Sequence, residues 1–301
     1  MRHRKVLAHF PVTGTYTKPL PHIKMKIRYN IIILALIFSL SSCKDKKTDV
    51  KQYETNEKKS TDLRLDHFNI WIKNPKKAKK RLTEIGFASV PDSLSAIHKG
   101  QGTAGRYFRF LNSYLELIFV YDLNELEENN EKNKELDFTI RANFEKNGAS
   151  PFSLALKVKD YNVEKIPFEK ISYHQEWMDK NMNIYSAKNS KKELKEPSIF
   201  VVYPEMEFEK FETLSDLKNI PEEYANWREF YKHPNGAQKV TEIIITSSDL
   251  NLSTETIKAV NRIENLTVKK GNEHLMELHF DNDIQEKTFD LRPELPLIIY
   301  L

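Results

Sequence analysis

One cysteine in 301 residues excludes an internal disulfide and any multi-cysteine zinc site. Glycine is almost as scarce: there are eight, and three of them, Gly100, Gly102 and Gly105, fall within six positions. No apolar run reaches the roughly 20 residues that a membrane-spanning helix needs. The run from Ile31 to Leu40 has only ten. Acidic residues are absent before Cys43, so residues 1–42 carry +7 of a chain whose net charge is +4, which leaves −3 for residues 43–301. The basic excess therefore belongs to the N-terminal segment, and the remainder gives no electrostatic case for nucleic-acid binding. Neither the phosphate-cradling pattern G-x-x-x-x-G-K-[ST] nor a Ser-His-Asp nucleophile signature is present.

The position of the single cysteine is informative. A short apolar run after a basic stretch (Lys24, Lys26, Arg28) and before small residues (Ser41, Ser42) is the profile of a secretory signal peptide. "LSSC", Leu40 to Cys43, resembles the lipobox of bacterial lipoproteins. That resemblance implies cleavage before Cys43, lipidation of its thiol and acyl chains that hold the protein to a membrane of the bacterial cell envelope, on the periplasmic face or the cell surface. Met25 opens "MKIRYN", a normal signal-peptide start, so residues 1–24 read as an upstream extension and Met25 as the expected true start. Residues 43–62 then form the lipidated Cys43 and a polar tether, which has too few apolar residues to fold.

From residue 63 onward the patterns predict an α+β domain reaching residue 301. "LRLDHFNIWI" alternates at period two and reads as a strand. Asn74-Pro75 starts a helix in which Ala78, Leu82 and Ile85 recur at helical spacing, and Gly86 ends it. Strands are expected near Phe87 to Val90, over Arg106 to Leu111 and over Tyr114 to Tyr121, with a loop from His98 to Gly105. The order β-α-β-β-β returns in 238–301, where "KVTEIIITSS", the helix "STETIKAVNRIE", "NLTVKKG", "HLMELHFDN" and "TFDLRPELPLIIYL" follow one another. The expected modules are thus 64–122, 150–204 and 238–301, with an irregular helical connection over 205–237.

Repeated βαβββ modules resemble the vicinal oxygen chelate superfamily. "LDHFNIWI", the loop "HKGQGTAGR", "YLELI", "HPNGAQKVTEIIIT" and "DLRPELPL" narrow the resemblance to its glyoxalase-like domain families, with Gly105 where asparagine is common. The resemblance implies curled, half-open mixed sheets around a cup. It also implies one divalent metal, Zn, Fe, Mn or Ni, held by His67 and Glu116 and chelating neighbouring substrate oxygens. The second ligand pair is missing. The positions matching His67 are Phe152 in the middle module and about Thr241 in the last, and neither is a strong ligand.

Each candidate keeps two readings. His67 is a core histidine or a cup-facing ligand or base. Glu116, the sole charge in "SYLELIFVY", is an exposed edge residue or a buried group that marks a site. His98, Gly100, Gly102, Thr103 and Arg106 form a structural turn or a ligand-binding rim of backbone N–H groups. Alternation allows only one of Arg106 and Arg109 to face the cup. His233 reads as a turn residue, and Glu277 with His279 as a solvent-facing pair. Three functions follow: a module binding a small oxygen-rich molecule, a metal-dependent enzyme with His67 and Glu116 at its centre, or a surface interaction protein with a vestigial cup. The first is preferred, because half of the ligand set is missing.

Overall fold

A computed structural model describes residues 61–175, 178, 180, 182–203 and 210–301. Cys43, the expected signal segment and most of the expected tether lie outside them. Among the described residues no helix is long and apolar enough to cross a membrane.

The first module follows the predicted order. Strand β1 (Leu63–Trp71) leads to helix α1 (Pro75–Glu84), then to β2 (Ile97–His98), β3 (Thr103–Arg109) and β4 (Tyr114–Val120). Asn74 caps α1 by accepting a hydrogen bond from the Lys77 N–H at 3.0 Å, as its sequence signal predicts. The strand expected near Phe87 to Val90 is not formed. Val90 makes one backbone bond to Tyr107, and the edge strand is the two-residue β2. A polar stretch follows and folds into α2 (Leu123–Lys132), α3 (Phe138–Ala142) and α4 (Phe144–Asn147).

The middle module contributes β5 (Phe152–Val158), β6 (Lys170–Tyr173), β7 (Ile184–Ala187) and β8 (Ser198–Val201). Together these strands make one eight-stranded sheet in the order β2-β3-β4-β1-β5-β8-β7-β6. β1 pairs parallel with β4, and β5 pairs parallel with β8 in the same way. The two halves join antiparallel along β1 and β5. The structural repeat therefore relates the first and middle modules.

The C-terminal third departs from the expected repeat. Strands β9 (Val240–Ser248), β10 (Leu266–Gly271), β11 (Leu275–Phe280), β12 (Thr288–Asp290) and β13 (Leu297–Tyr300), with helix α5 (Glu255–Val260), do follow the predicted element order. Their pairing is different. β9 lies between β10 and β11 in a separate five-stranded sheet, parallel to the first and antiparallel to the second. Element order alone does not fix which strands become neighbours, and here the strand after the helix returns directly to β9. The described part of the expected helical connection forms tight 3-10 turns at Leu214–Asn219 and Glu222–Tyr231.

One face of the eight-stranded sheet is apolar. Phe68, Ile70, Leu115, Leu117, Leu154, Leu156 and Ile199 pack with α1 and with Ile243, Ile245, Met276 and Leu278 of the C-terminal sheet in one continuous core. Phe110 and Phe280 meet edge to face at 4.8 Å across this junction. The opposite face is also buried, yet it carries most of the buried polar side chains of β1, β3 and β4. It holds the candidate site.

Candidate functional site

Cross-strand register orders the polar face into rows. Glu116 pairs with Tyr107 on β3 and with Asn69 on β1, and Asn69 pairs in turn with Ser153 on β5. The next row places Tyr114 opposite Arg109, and the His67 ring stacks on Tyr114 at 4.2 Å between centroids. A register shift between Leu65 and His67 marks a bulge at Asp66. The bulge lets the adjacent Asp66 and His67 side chains meet. The face is closed by α2–α4, which bury Trp71 and Ile118, and by Trp227 and Phe230, which cover Tyr107 and Tyr114.

Two polar clusters result. In the first, His67 Nδ1 is 2.6 Å from Asp66 Oδ1, and Lys157 Nζ is 3.2 Å from Asp66 Oδ2. All three residues are buried. Burial by itself would push the Asp66 carboxyl up. The hydrogen bond and charge of His67, with those of Lys157, outweigh it and hold the group well below the usual carboxylate range. Asp66 is therefore an anion shared between two nitrogen partners.

In the second cluster, the Tyr107 hydroxyl donates to Glu116 Oε1 at 2.9 Å, and His98 Nε2 lies 3.2 Å from that hydroxyl and 3.5 Å from the carboxylate. His98 Nδ1 meets Thr103 Oγ1 at 2.9 Å, and Gln101 Nε2 donates to the same hydroxyl at 2.8 Å. Every donor and acceptor in this chain is satisfied when His98 carries its proton on Nε2. Burial, and then the negative charge of Glu116, push the Tyr107 phenol up, so it remains a proton donor. The network continues through Tyr173, whose hydroxyl lies 3.3 Å from Gln101 Oε1 and accepts from Gln175 Nε2 at 2.7 Å.

Asn69 Oδ1 is buried and unbonded, beside Glu116 in the register. A buried carbonyl oxygen without a donor costs about 1–3 kcal/mol, which a water or a ligand donor would relieve.

The sequence-predicted residues fall into three groups. His67, Glu116, His98 and Thr103 share the polar face or its rim, with His67 in one cluster and the other three in the second. Gly100 and Gly102 do not present free amides. Both donate to the Glu125 carboxylate of α2, at 2.6 and 3.1 Å. Arg106 turns away from the face. It pairs with Asp92 at 3.1 Å and lies over the Phe119 ring, while Arg109 faces the site over Tyr114 at 4.7 Å. Phe152, expected to match His67, lies opposite Ile70 in the core, and the residues of β5 on the polar face are Ser153, Ala155 and Lys157. Thr241 bonds His279 O in the C-terminal sheet. Sequence reasoning passed over Asp66, Asn69, Tyr107, Tyr114 and Lys157, although alternation from His67 and Glu116 already puts Asn69, Tyr107 and Tyr114 on the same face.

Gly105 explains itself sterically. A methyl group there would lie 2.4 Å from both Glu116 Oε1 and the Tyr107 hydroxyl. The Tyr107–Glu116 bond thus passes over a position where only hydrogen fits.

The profile of the glyoxalase-like domain family matches residues 65–261. This chain belongs to the glyoxalase-like domain family. No curated protein matches it. Among solved structures, a hypothetical protein from Staphylococcus aureus is similar at 12% identity and a TM-score of 0.45, over 79% of this chain and 97% of its own. Methylmalonyl-CoA epimerase from Mycobacterium tuberculosis is similar at 13% identity and a TM-score of 0.32, over 49% of this chain and 92% of its own. A methylmalonyl-CoA epimerase in complex with methylmalonyl-CoA and NH4+ gives 13% and 0.30, over 50% and 99%.

The superfamily often uses a divalent metal, but the donors on this face do not suit one. Among the described residues, no three His, Cys, Asp or Glu side chains converge to hold an ion. His67 and Glu116 belong to separate clusters, and the carboxylate beside His67 is already bonded to an ammonium. Open metal sites usually keep three protein ligands. A cavity of about 540 Å3 lies at the C-terminal end of β1, lined by residues that include Trp71, Lys77, Phe144 and His274 and none of the site residues above.

His233 is structural. Its Nδ1 accepts from the Ala88 N–H at 3.0 Å, and its Nε2–H donates to Arg109 O at 2.8 Å, which ties the turn before β9 to the end of β3. Burial lowers its pKa to about 4. The unfolded chain binds a proton below about 6.5 and the folded chain only below about 4, so the stabilisation is full above 6.5 and fades as pH falls towards 4, by about 3 kcal/mol. In urea titrations, His233→Gln is expected to flatten the stability loss between pH 6.5 and 4.5. Parallel pH profiles for variant and wild type would contradict this.

Proposed function

We propose that this glyoxalase-like protein binds a small, oxygen-rich molecule on its buried polar face, next to Glu116 and Asn69. The unbonded Asn69 Oδ1 carries this reading, because a ligand hydroxyl beside Glu116 would supply the donor it lacks. The surroundings support it. Glu116, Tyr107 and His98 form an ordered chain of acceptors and donors, and Arg109 and Lys157 add positive charge. The test is differential scanning fluorimetry of the full chain against small polyols and hydroxy acids. A matching ligand should raise the melting temperature by a few degrees, and Glu116→Gln should abolish the rise. If no compound shifts the wild type, or if the variant responds equally, the proposal fails.

Acid–base catalysis is a second reading with its own support. A carboxylate hydrogen-bonded to a phenol, with an imidazole 3.5 Å away, is a competent proton acceptor for a C–H next to a carbonyl.

The protein is further proposed to be held to the bacterial envelope through lipidated Cys43, on the strength of the basic, apolar and small-residue run before it. Labelled palmitate should enter the wild-type chain in its native host, and Cys43→Ala should lose both the label and membrane association. Equal labelling of the two would refute this.

A further inference from the structure

We propose that the cavity at the C-terminal end of β1, outside the polar face, binds a small aromatic carboxylate. It is a second site, and it stands whether or not the polar face takes a ligand.

Three separate parts of the chain build this cavity: the end of β1 with the start of α1, the segment from α4 to β5, and the C-terminal sheet. Its volume of about 540 Å3 is within the ordinary range for a small-molecule site. The apolar lining comes from Trp71, Phe144, Pro151, Pro293 and Pro296. Aromatic rings and prolines are stiff and nearly flat, so little side-chain entropy is lost when a planar guest enters. His274 holds the cavity open. Its Nε2–H donates to Gly148 O at 3.2 Å, and its Nδ1 accepts from the Ser247 hydroxyl at 3.1 Å, which ties the C-terminal sheet to the end of α4. Burial lowers its pKa, so it adds a fixed and uncharged part of the lining.

The charge around the cavity selects an anion. Lys77 pairs with Glu294 at 2.8 Å, and Glu145 is exposed, where water screens it. Lys73 is different. Its ammonium donates to Ala142 O and lies 5.9 Å from the Phe144 ring centroid, and among the described residues no carboxylate pairs with it. Asn74, Lys77 and Ala78 of the lining belong to the cap and first turn of α1, which holds no acidic residue there. The positive end of the helix therefore adds to the Lys73 charge. Because the Lys73 ammonium and the Phe144 ring are neighbours, one compact molecule with an aryl group and a carboxylate matches both.

Isothermal titration of the full chain with phenylacetate, phenylacetamide and acetate tests this. Phenylacetate is expected to bind. The neutral amide should bind about tenfold more weakly, the scale of a lost charge-assisted contact, and acetate, which has no ring, should give no detectable heat. Lys73 is exposed, so Lys73→Met should fold normally. This variant is expected to bring phenylacetate down to the level of the amide, and Lys73→Arg to keep most of the affinity. No binding of phenylacetate at millimolar concentration would overturn the proposal. So would equal affinity for acid and amide, acetate binding as tightly as phenylacetate, or an unchanged phenylacetate affinity in Lys73→Met. The comparison of the three compounds uses the wild type alone, so it decides even if a variant is not recovered.

Discussion

Replacing Arg141 by methionine is expected to lower unfolding stability by about 4 kcal/mol, within the range for breaking a buried ion pair from one side. Arg141 is completely buried in α3. Its Nε donates to Asp137 Oδ2 at 2.7 Å. Its remaining bonds go to four backbone carbonyls, those of Ser150, Leu194, Glu196 and Ser190, at 2.8–3.1 Å. One planar guanidinium therefore fastens the helical layer to the start of β5 and to the chain leading into β8. Methionine has a similar length and no donor, so Asp137 would lose its charged partner and keep only the Ser190 and Ser198 hydroxyls, and the four carbonyls would lose the guanidinium together. Lysine should not rescue it, because an ammonium carries three donors and lacks the planar fork. Denaturant titration of the two variants checks this. A stability within 1 kcal/mol of wild type for Arg141→Lys would show that the fork is not the determinant.

Gly102→Ala is expected to cost about 3 kcal/mol, and Gly100→Ala about 1 kcal/mol. Both residues have positive φ, +76° and +82°. They differ in what a methyl group would meet. At Gly102 it would lie 2.2 Å from the Leu126 backbone nitrogen and 2.6 Å from Asp122 O, groups fixed in the first turn of α2. At Gly100 it would meet only the end of the Gln175 side chain, at 2.7 Å, which can move. A displaced Gly102 would also release the Glu125 carboxylate from both loop amides and shift Thr103, which orients His98. Comparable melting temperatures for the two variants would contradict the assignment.

The sequence was most readable where one face of an element is apolar. The strand holding His67, the cap at Asn74 and the run around Glu116 all carry such a signal, and they appear where it places them. The segment of α2 to α4 was not readable, because α2 buries only Leu126 and Asn129 on the domain and its composition looks like a solvated loop. The short strands β6 and β7 are equally weak in pattern. In the site, alternation put Tyr107 and Arg109 together but could not show that Glu125 takes up the glycine-loop amides, since that bond joins residues more than 20 apart in sequence. The bulge at Asp66 shifted the register and brought an aspartate inside, next to His67, where strict alternation would send it to the other face.

On the proposed reading of the polar face, the seam between β1 and β5 also sets how many guests one chain takes there. Across it the row that begins with Tyr107, Glu116 and Asn69 continues into Ser153 and Ser198, which are small and uncharged. Along this row the duplicated frame thus carries its ionisable groups on the β1, β3 and β4 side alone. On that face each polypeptide should accept a single guest, and the vacant twin is the place where a designed carboxylate at 198 could install a second.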